Sequence, residues 1–223
     1  MKNKTQSLQT IFWIIAAAEI FSSAANISLL HYAAKPLLLP VLIILLASAT
    51  GTVPGKKIML VALFFSWLGD VLLMFESRHS LFFIFGLVCF LTTHILYIIY
   101  FLSISSEKIS LLKKYPLLIV LVAAYGVSLV WLLFPQLADL KIPVMVYAAV
   151  ICSMLLCSLH IFYKVNSPAN ILYVSGAIFF VLSDSLLAVN KFYQPLAYAG
   201  IFIMLTYCLA QYLIVQGFIQ QKR

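Results

Sequence analysis

The chain has 223 residues, of which 65% are hydrophobic and 9% are charged, and its formal net charge is +8. A soluble globular domain is about 45–50% apolar and about 25% charged, so the composition excludes a soluble fold and indicates an integral membrane protein. The positive charge is typical of basic loops beside membrane helices, and no basic and aromatic face indicates a nucleic-acid partner.

Eight apolar segments follow one another along the chain, each suited to a membrane-spanning helix of about 20 residues. They are 9–30, 36–51, 57–76, 80–103, 115–134, 142–163, 170–190 and 195–218. Short stretches with turn or charge signals separate them, such as AAKP at 33–36 and FPQLADLK at 134–141. We therefore predict an all-α, polytopic membrane protein with eight transmembrane helices, forming a single domain over residues 1–223.

The distribution of lysine and arginine predicts the orientation in the membrane. With eight spans, one side holds Lys35, Arg78, Lys141 and Lys191. The other side holds Lys2, Lys4, Lys56, Lys57, Lys108, Lys113, Lys114, Lys164, Lys222 and Arg223. Because cytoplasmic loops carry the excess of basic residues, both termini are predicted to be cytoplasmic. Compact loops and the lysine-rich start favour a multi-pass protein of a bacterial cytoplasmic membrane, and they fit an endoplasmic reticulum protein nearly as well.

Two aspartates interrupt apolar segments in similar surroundings. Asp70 lies in LGDVLLM (68–74) and Asp184 in LSDSLLA (182–188), an offset of 114 residues. The shared pattern leaves two interpretations open, a four-plus-four internal repeat or a coincidence between leucine-rich helices. A repeat would place the aspartates opposite each other near an axis along the membrane normal. Since ionisable groups are costly in a membrane, we expect both carboxyl groups to serve a function.

Other polar residues are predicted to share the membrane depth of the aspartates or to lie nearer the midplane. Tyr147 is expected in the layer of the aspartates, and His94, Tyr207 and Gln211 nearer the midplane. Glu19, within the first segment, is a weaker candidate. The remaining histidines lie near helix ends or in loops, where solvated side chains are expected: His31, His79 and His160.

Two lysines on the side predicted to face outward stand close to this layer. Lys35 precedes Pro36 at the predicted start of the second helix, and Lys191 lies seven residues after Asp184, on the same face of a continuous α-helix. Each lysine has two interpretations. It is either an interfacial side chain that reaches toward water or a cationic partner for an anionic group.

The residue types favour acid–base chemistry over other mechanisms. A metal site needs three or four ligands within reach, and His94 is the only histidine predicted to lie deep in the membrane with the aspartates. No GxSxG motif indicates a serine nucleophile. Two carboxyl groups in unequal surroundings can act as an acid and as a base or cation stabiliser, which suits cleavage of an acid-labile bond through an oxocarbenium ion. The two carboxyl groups also suit a proton-coupled transporter of a lipid or small molecule. A non-enzymatic membrane scaffold is a third interpretation of the chain.

Several segments together resemble the YhhN-type integral membrane proteins, which include lysoplasmalogenases. The matching segments are KPLLLP (35–40), ALFFSWLGDVLLM (62–74), GLVCFLTTHILYIIYF (86–101), GAIFFVLSDSLLAVNKF (176–192) and TYCLAQYLI (206–214). They occur in order from the second to the eighth predicted helix, so the resemblance covers most of the chain.

The resemblance implies an eight-helix membrane hydrolase that cleaves the vinyl ether bond of lysoplasmalogens. The products would be a fatty aldehyde and glycerophosphoethanolamine or glycerophosphocholine, and no metal or organic cofactor is implied. The residues at the family's characteristic positions are Lys35, Asp70, His94, Asp184, Lys191, Tyr207 and Gln211. We expect Asp70, Asp184 and His94 to be catalytic. The lysophospholipid would be bound by Lys35, Lys191, Tyr147, Tyr207 and Gln211, with its phosphate at the two lysines.

Overall fold

The computed structural model of the chain describes residues 2–49 and 54–221, with side chains from residue 5 onward. The described residues are largely helical and include no β-strand, so the all-α prediction is confirmed. Lys222, Arg223 and the side chains of Lys2 and Lys4, which the predicted orientation uses, lie outside the described part. The cytoplasmic termini, the internal repeat and the single domain stay predictions.

Nine α-helices occur in the described part of the chain. They are α1 (Lys2–Ala25), α2 (Ser28–Ser48), α3 (Lys56–Leu73), α4 (Ser80–Leu102), α5 (Leu111–Lys114), α6 (Leu117–Leu133), α7 (Lys141–His160), α8 (Ala169–Ala188) and α9 (Ala199–Gln220). Two 3-10 turns, Phe134–Gln136 and Ala138–Leu140, join α6 to α7, and a π-helical turn, Val189–Tyr193, follows α8.

Seven helical segments among the described residues are long and apolar enough to cross a membrane. They are Thr5–Ala25, Ser28–Ser48, Ser80–Leu102, Leu117–Gln136, Ala138–His160, Ala169–Tyr193 and Ala199–Gln220. The predicted third span corresponds to α3, which has 18 residues and carries Lys56, Lys57 and Asp70. These three charges within 18 residues set α3 apart from the seven segments. The protein is thus multi-pass, and the count of eight spans stays a prediction.

The chain divides into two compact units, Met1–Tyr100 and Phe101–Arg223. In the first unit, α2 packs against both α1 and α3. Leu38, Leu42 and Leu45 of α2 are fully buried, and their spacing places them on one face of the helix. This leucine face supplies much of the core of the first unit.

The second unit is built around the close pair α8 and α9. A Cβ atom at Gly176 of α8 would lie 2.7 Å from Ile214 and 3.0 Å from the carbonyl oxygen of Ala210, both in α9. At Gly217 of α9, a Cβ atom would lie 2.8 Å from the Tyr173 ring of α8. The two glycines allow this approach because they have no side chain. Close packing of this kind stabilises membrane helix pairs, which do not gain from the hydrophobic effect.

The boundary between the first two helices differs from the prediction. The chain turns at Asn26, which has a positive φ of 55°, and α2 begins at Ser28 rather than at Pro36. Pro36 and Pro40 therefore lie inside α2. The prediction treated proline as a helix break, whereas membrane helices tolerate proline when another donor satisfies the carbonyl group that it frees.

Trp67 is that donor. Residue 40 is a proline and has no N–H group to offer the carbonyl oxygen of Pro36, four residues earlier. The indole Nε1 of Trp67 in α3 donates a hydrogen bond to this oxygen at 2.9 Å. The side chain of α3 thus replaces a missing backbone bond of α2 and ties the two helices together.

Replacing Trp67 by Phe is expected to lower the free energy of unfolding by about 1–3 kcal/mol, because the carbonyl group loses its donor in an apolar environment. Thermal unfolding in mild detergent measures the change. Trp131→Phe is the control, since the Trp131 side chain is 79% exposed. Equal melting temperatures for the two variants would show that the Trp67 bond contributes nothing.

Candidate active site

Asp70 is a buried carboxyl group at a tight helix crossing. It lies in the last turn of α3 and is 3% exposed. At the preceding Gly69, a Cβ atom would lie 2.8 Å from the Phe90 ring of α4. Thr93 of α4 donates a hydrogen bond to the carbonyl oxygen of Ala62 in α3 at 3.1 Å. These contacts hold the backbone that carries Asp70 firmly against α4.

Two other predicted site residues belong to the first unit. His94 is fully buried in α4, directly after Thr93. Lys35 lies within α2 and not at its start, because the helix begins at Ser28. The Lys35 side chain is half-buried, and within residues 2–49 and 54–221 it forms no ion pair with an acidic group. Its ammonium group is therefore available to an anionic ligand.

The first unit also contains an acid–imidazole pair that the sequence did not indicate. Glu19 of α1 is fully buried, and its Oε1 lies 2.7 Å from Nδ1 of His31 in α2. Ser22 adds a hydrogen bond to Oε2 of Glu19 at 3.3 Å. The solvated state expected for His31 is therefore wrong. The turn at Asn26 brings the start of α2 back against α1, and only this tertiary contact creates the pair.

In the second unit, Asp184 of α8 is joined to Tyr147 of α7. The Tyr147 hydroxyl donates a hydrogen bond to Oδ2 of Asp184 at 2.5 Å, and both side chains are partly buried. A second tyrosine reaches the next residue, since the Tyr125 hydroxyl of α6 donates to Oγ of Ser185 at 2.7 Å. Two phenol groups thus fix this turn of α8, and one of them orients the carboxylate. No sequence pattern indicated a role for Tyr125.

Tyr207 and Gln211, the predicted substrate contacts of the last helix, are buried in α9. They are four residues apart and share a face of the helix. The Tyr207 ring packs edge-on against Phe180 of α8, with ring centroids 5.8 Å apart. Ser183 of α8 donates to the carbonyl oxygen of Ile203 in α9 at 3.1 Å. The polar residues of α9 are thereby fixed relative to the helix that carries Asp184.

Lys191 lies in the π-helical turn Val189–Tyr193, which continues α8. A π-helical turn forms i→i+5 hydrogen bonds and is wider than an α-helical turn. The prediction that Asp184 and Lys191 share one face assumed an unbroken α-helix. It therefore does not hold for this pair. Such turns are frequent at functional sites. The Lys191 side chain is exposed.

The predicted site residues thus fall into two sets. The first unit holds Lys35, Asp70 and His94, and the second holds Tyr147, Asp184, Lys191, Tyr207 and Gln211. Within the second set, Tyr147 and Asp184 are in direct contact. The face-to-face arrangement of Asp70 and Asp184 stays a prediction.

Comparisons with known proteins identify the family. The profile of the YhhN family matches residues 30–218. The protein named lysoplasmalogenase TMEM86A from Homo sapiens is 30% identical over 173 residues, which cover 76% of this chain and 68% of the relative. No match was found among solved structures. The profile match spans most of the chain, including every predicted site residue, and the chain therefore belongs to the YhhN family.

Proposed function

We propose that this protein is a membrane-embedded lysoplasmalogenase. The similarity to the human lysoplasmalogenase over 76% of the chain carries the proposal. The substrate would be a lysoplasmalogen in the bilayer. The products would be a fatty aldehyde and glycerophosphoethanolamine or glycerophosphocholine.

The reaction requires an acid and a means of stabilising a cation. A proton added to the β-carbon of the vinyl ether gives an oxocarbenium ion, and water adds to the carbon that bears the oxygen. The resulting hemiacetal releases a proton and collapses to the aldehyde and the glycerol hydroxyl. Positioned carboxyl groups accelerate such proton transfers by about 10²–10⁴-fold.

We assign the proton donation to Asp70 and the stabilisation of the cation to Asp184. Asp70 is 3% exposed, a setting that suits a carboxylic acid. Asp184 accepts a hydrogen bond from Tyr147, which holds one of its carboxyl oxygens in place. His94 would orient the water.

The remaining predicted residues would hold the polar part of the lysophospholipid. Lys35 and Lys191 would pair with its phosphate, because an ammonium group and a phosphate oxygen form charge-assisted hydrogen bonds. Tyr147, Tyr207 and Gln211 supply hydrogen-bonding groups for the glycerol oxygens.

Aldehyde release tests the proposal. The protein, purified in mild detergent with chelator present, would receive a lysoplasmalogen or the acyl lysophospholipid with the same headgroup. We expect fatty aldehyde from the vinyl ether lipid alone. In D₂O the aldehyde should carry one deuterium beside the carbonyl group, provided that it is trapped by reduction as it forms. Fatty acid from the acyl lipid would indicate an esterase, and no product from folded protein would favour a transporter.

Replacing Tyr147 by Phe is expected to lower kcat for aldehyde release by about 10–100-fold, the effect of losing a hydrogen bond to a charged group. Tyr125→Phe is the matched control, because its hydroxyl bonds Ser185, next in sequence to Asp184. We expect the control to stay within about twofold of the original kcat. If both variants lose activity equally, Tyr147 acts only through the packing of α8.

A further inference from the structure

An open groove of about 620 Å³ runs between α6 and α7 in the second unit, apart from the predicted site residues. A Cβ atom at Gly126 of α6 would lie 2.8 Å from Sγ of Cys152 in α7, so the two helices touch closely at this point. Residues along the groove include Ala123, Gly126, Phe134, Met145, Ala149 and Leu156.

The groove is suited to a hydrocarbon chain. Its walls are almost entirely apolar, and the hydroxyl of Ser153, which also lines it, donates to the carbonyl oxygen of Ala149 at 2.7 Å. No polar group of Ser153 therefore needs a ligand. One wall extends from Ala123 in α6 to Phe134, the first residue after that helix, and the α7 wall extends from Met145 to Leu156. Each is about 16 Å long at 1.5 Å per residue. This length matches one leaflet, which is half of a hydrocarbon core of about 30 Å.

A cation lies at one end of the groove. Nζ of Lys141 is 4.8 Å from the centre of the Phe134 ring, which forms the groove wall at the end of α6. Lys141 is exposed, and within the described part of the chain it forms no ion pair, although Asp139 lies two residues away. Trp131 also lines this end and is 79% exposed, which is typical of an aromatic residue at a membrane interface.

We propose that the α6–α7 groove binds one acyl chain of a bilayer glycerophospholipid, whose phosphate pairs with Lys141. The chain would lie along the apolar walls and end near Ala123 and Leu156. A phospholipid accounts for both features of the groove, because its acyl chain matches the apolar walls and its phosphate matches the charge of Lys141. The proposal does not depend on the hydrolase activity, since the tyrosines that contact Ser185 and Asp184 are not among the residues that line the groove.

Photo-crosslinking of the full chain tests the proposal. The protein would be placed in phosphatidylcholine vesicles with a trace of phosphatidylglycerol that carries a diazirine near the end of one acyl chain. Mass spectrometry would locate the adducts. We expect them near Leu156 and Ala123, in excess over adducts on the exposed residues Phe85 and Val88 of α4.

Three variants make the test specific. Ala149→Trp fills the groove and should remove the excess, whereas Ala124→Trp, on an exposed position that does not line the groove, should retain it. Lys141→Gln should lower the excess about fivefold, the factor that corresponds to about 1 kcal/mol for one basic residue near anionic lipid. Because Lys141 is exposed, this variant tests the proposal even if Ala149→Trp fails to fold.

Two outcomes would overturn the proposal. Adducts spread evenly over α4, α6 and α7 would mean that the groove contacts only bulk lipid and binds no lipid specifically. Crosslinks between α6 segments of two copies, with lipid adducts absent from the groove, would make a second copy its occupant.

Discussion

Replacing Asp70 or Asp184 by Asn is expected to lower kcat for aldehyde release from a lysoplasmalogen by about 10²–10⁴-fold. The amide can neither supply the proton nor balance the positive charge of the oxocarbenium ion, and positioned carboxyl groups are worth about 10²–10⁴-fold. Since Asn has nearly the same shape as Asp, the substitution leaves packing largely intact. Single-turnover measurements with saturating lipid separate this loss from weaker binding.

Asp139→Asn is the control for both variants. Asp139 is exposed in the 3-10 turn Ala138–Leu140, so its substitution makes the same exchange of Asp for Asn without touching a buried carboxyl group. We expect near-normal kcat for the control. The proposed mechanism fails if both the Asp70 and the Asp184 variants retain near-normal turnover while remaining folded.

Replacing His31 by Ala is expected to destabilise the protein by about 2–4 kcal/mol, because the fully buried Glu19 carboxyl group loses its imidazole partner and keeps only a long bond from Ser22. The partial exposure of His31, 31% for its side chain, keeps the effect below that of a fully buried pair. Thermal unfolding in detergent should show a melting temperature lowered by about 5–10 °C.

His79→Ala is the histidine control, since His79 is exposed and accepts one hydrogen bond from the backbone N–H of Leu81. It should cost about 1 kcal/mol or less, as the loss of a helix cap does. Adding Glu19→Gln to His31→Ala should cost less than the sum of the single changes. Full additivity would mean that the pair contributes no interaction energy.

The helical character of the chain could be predicted because the length and apolarity of a membrane helix are visible in the sequence itself. The junction of α1 and α2 could not, because it depends on Asn26 adopting a positive φ and on Trp67 satisfying Pro36. From the sequence alone, a proline predicts the end of a helix. Here Trp67, 31 residues after Pro36, supplies the donor that replaces the missing backbone bond.

In the candidate site, too, some features could be predicted from the sequence and others depend on tertiary contacts. Asp70 and Asp184 stood out because a carboxyl group within an apolar run is costly. Their surroundings were less visible. The bond from Tyr147 to Asp184 spans 37 residues, and the Glu19–His31 contact arises only when α2 folds back on α1. Sequence reasoning thus found the costly groups, whereas the partners that stabilise them come from packing between helices.

The bond from Trp67 to Pro36 has a consequence for the synthesis of the protein in the cell. Ribosomes add about 5–20 residues per second, so Trp67 is made about 2–6 s after Pro36. During this interval α2 reaches the insertion machinery with a carbonyl group that α3 has not yet satisfied. A nascent chain that stops before Trp67 should therefore integrate α2 less efficiently than one that extends through α3, and the two helices should enter the bilayer as a pair.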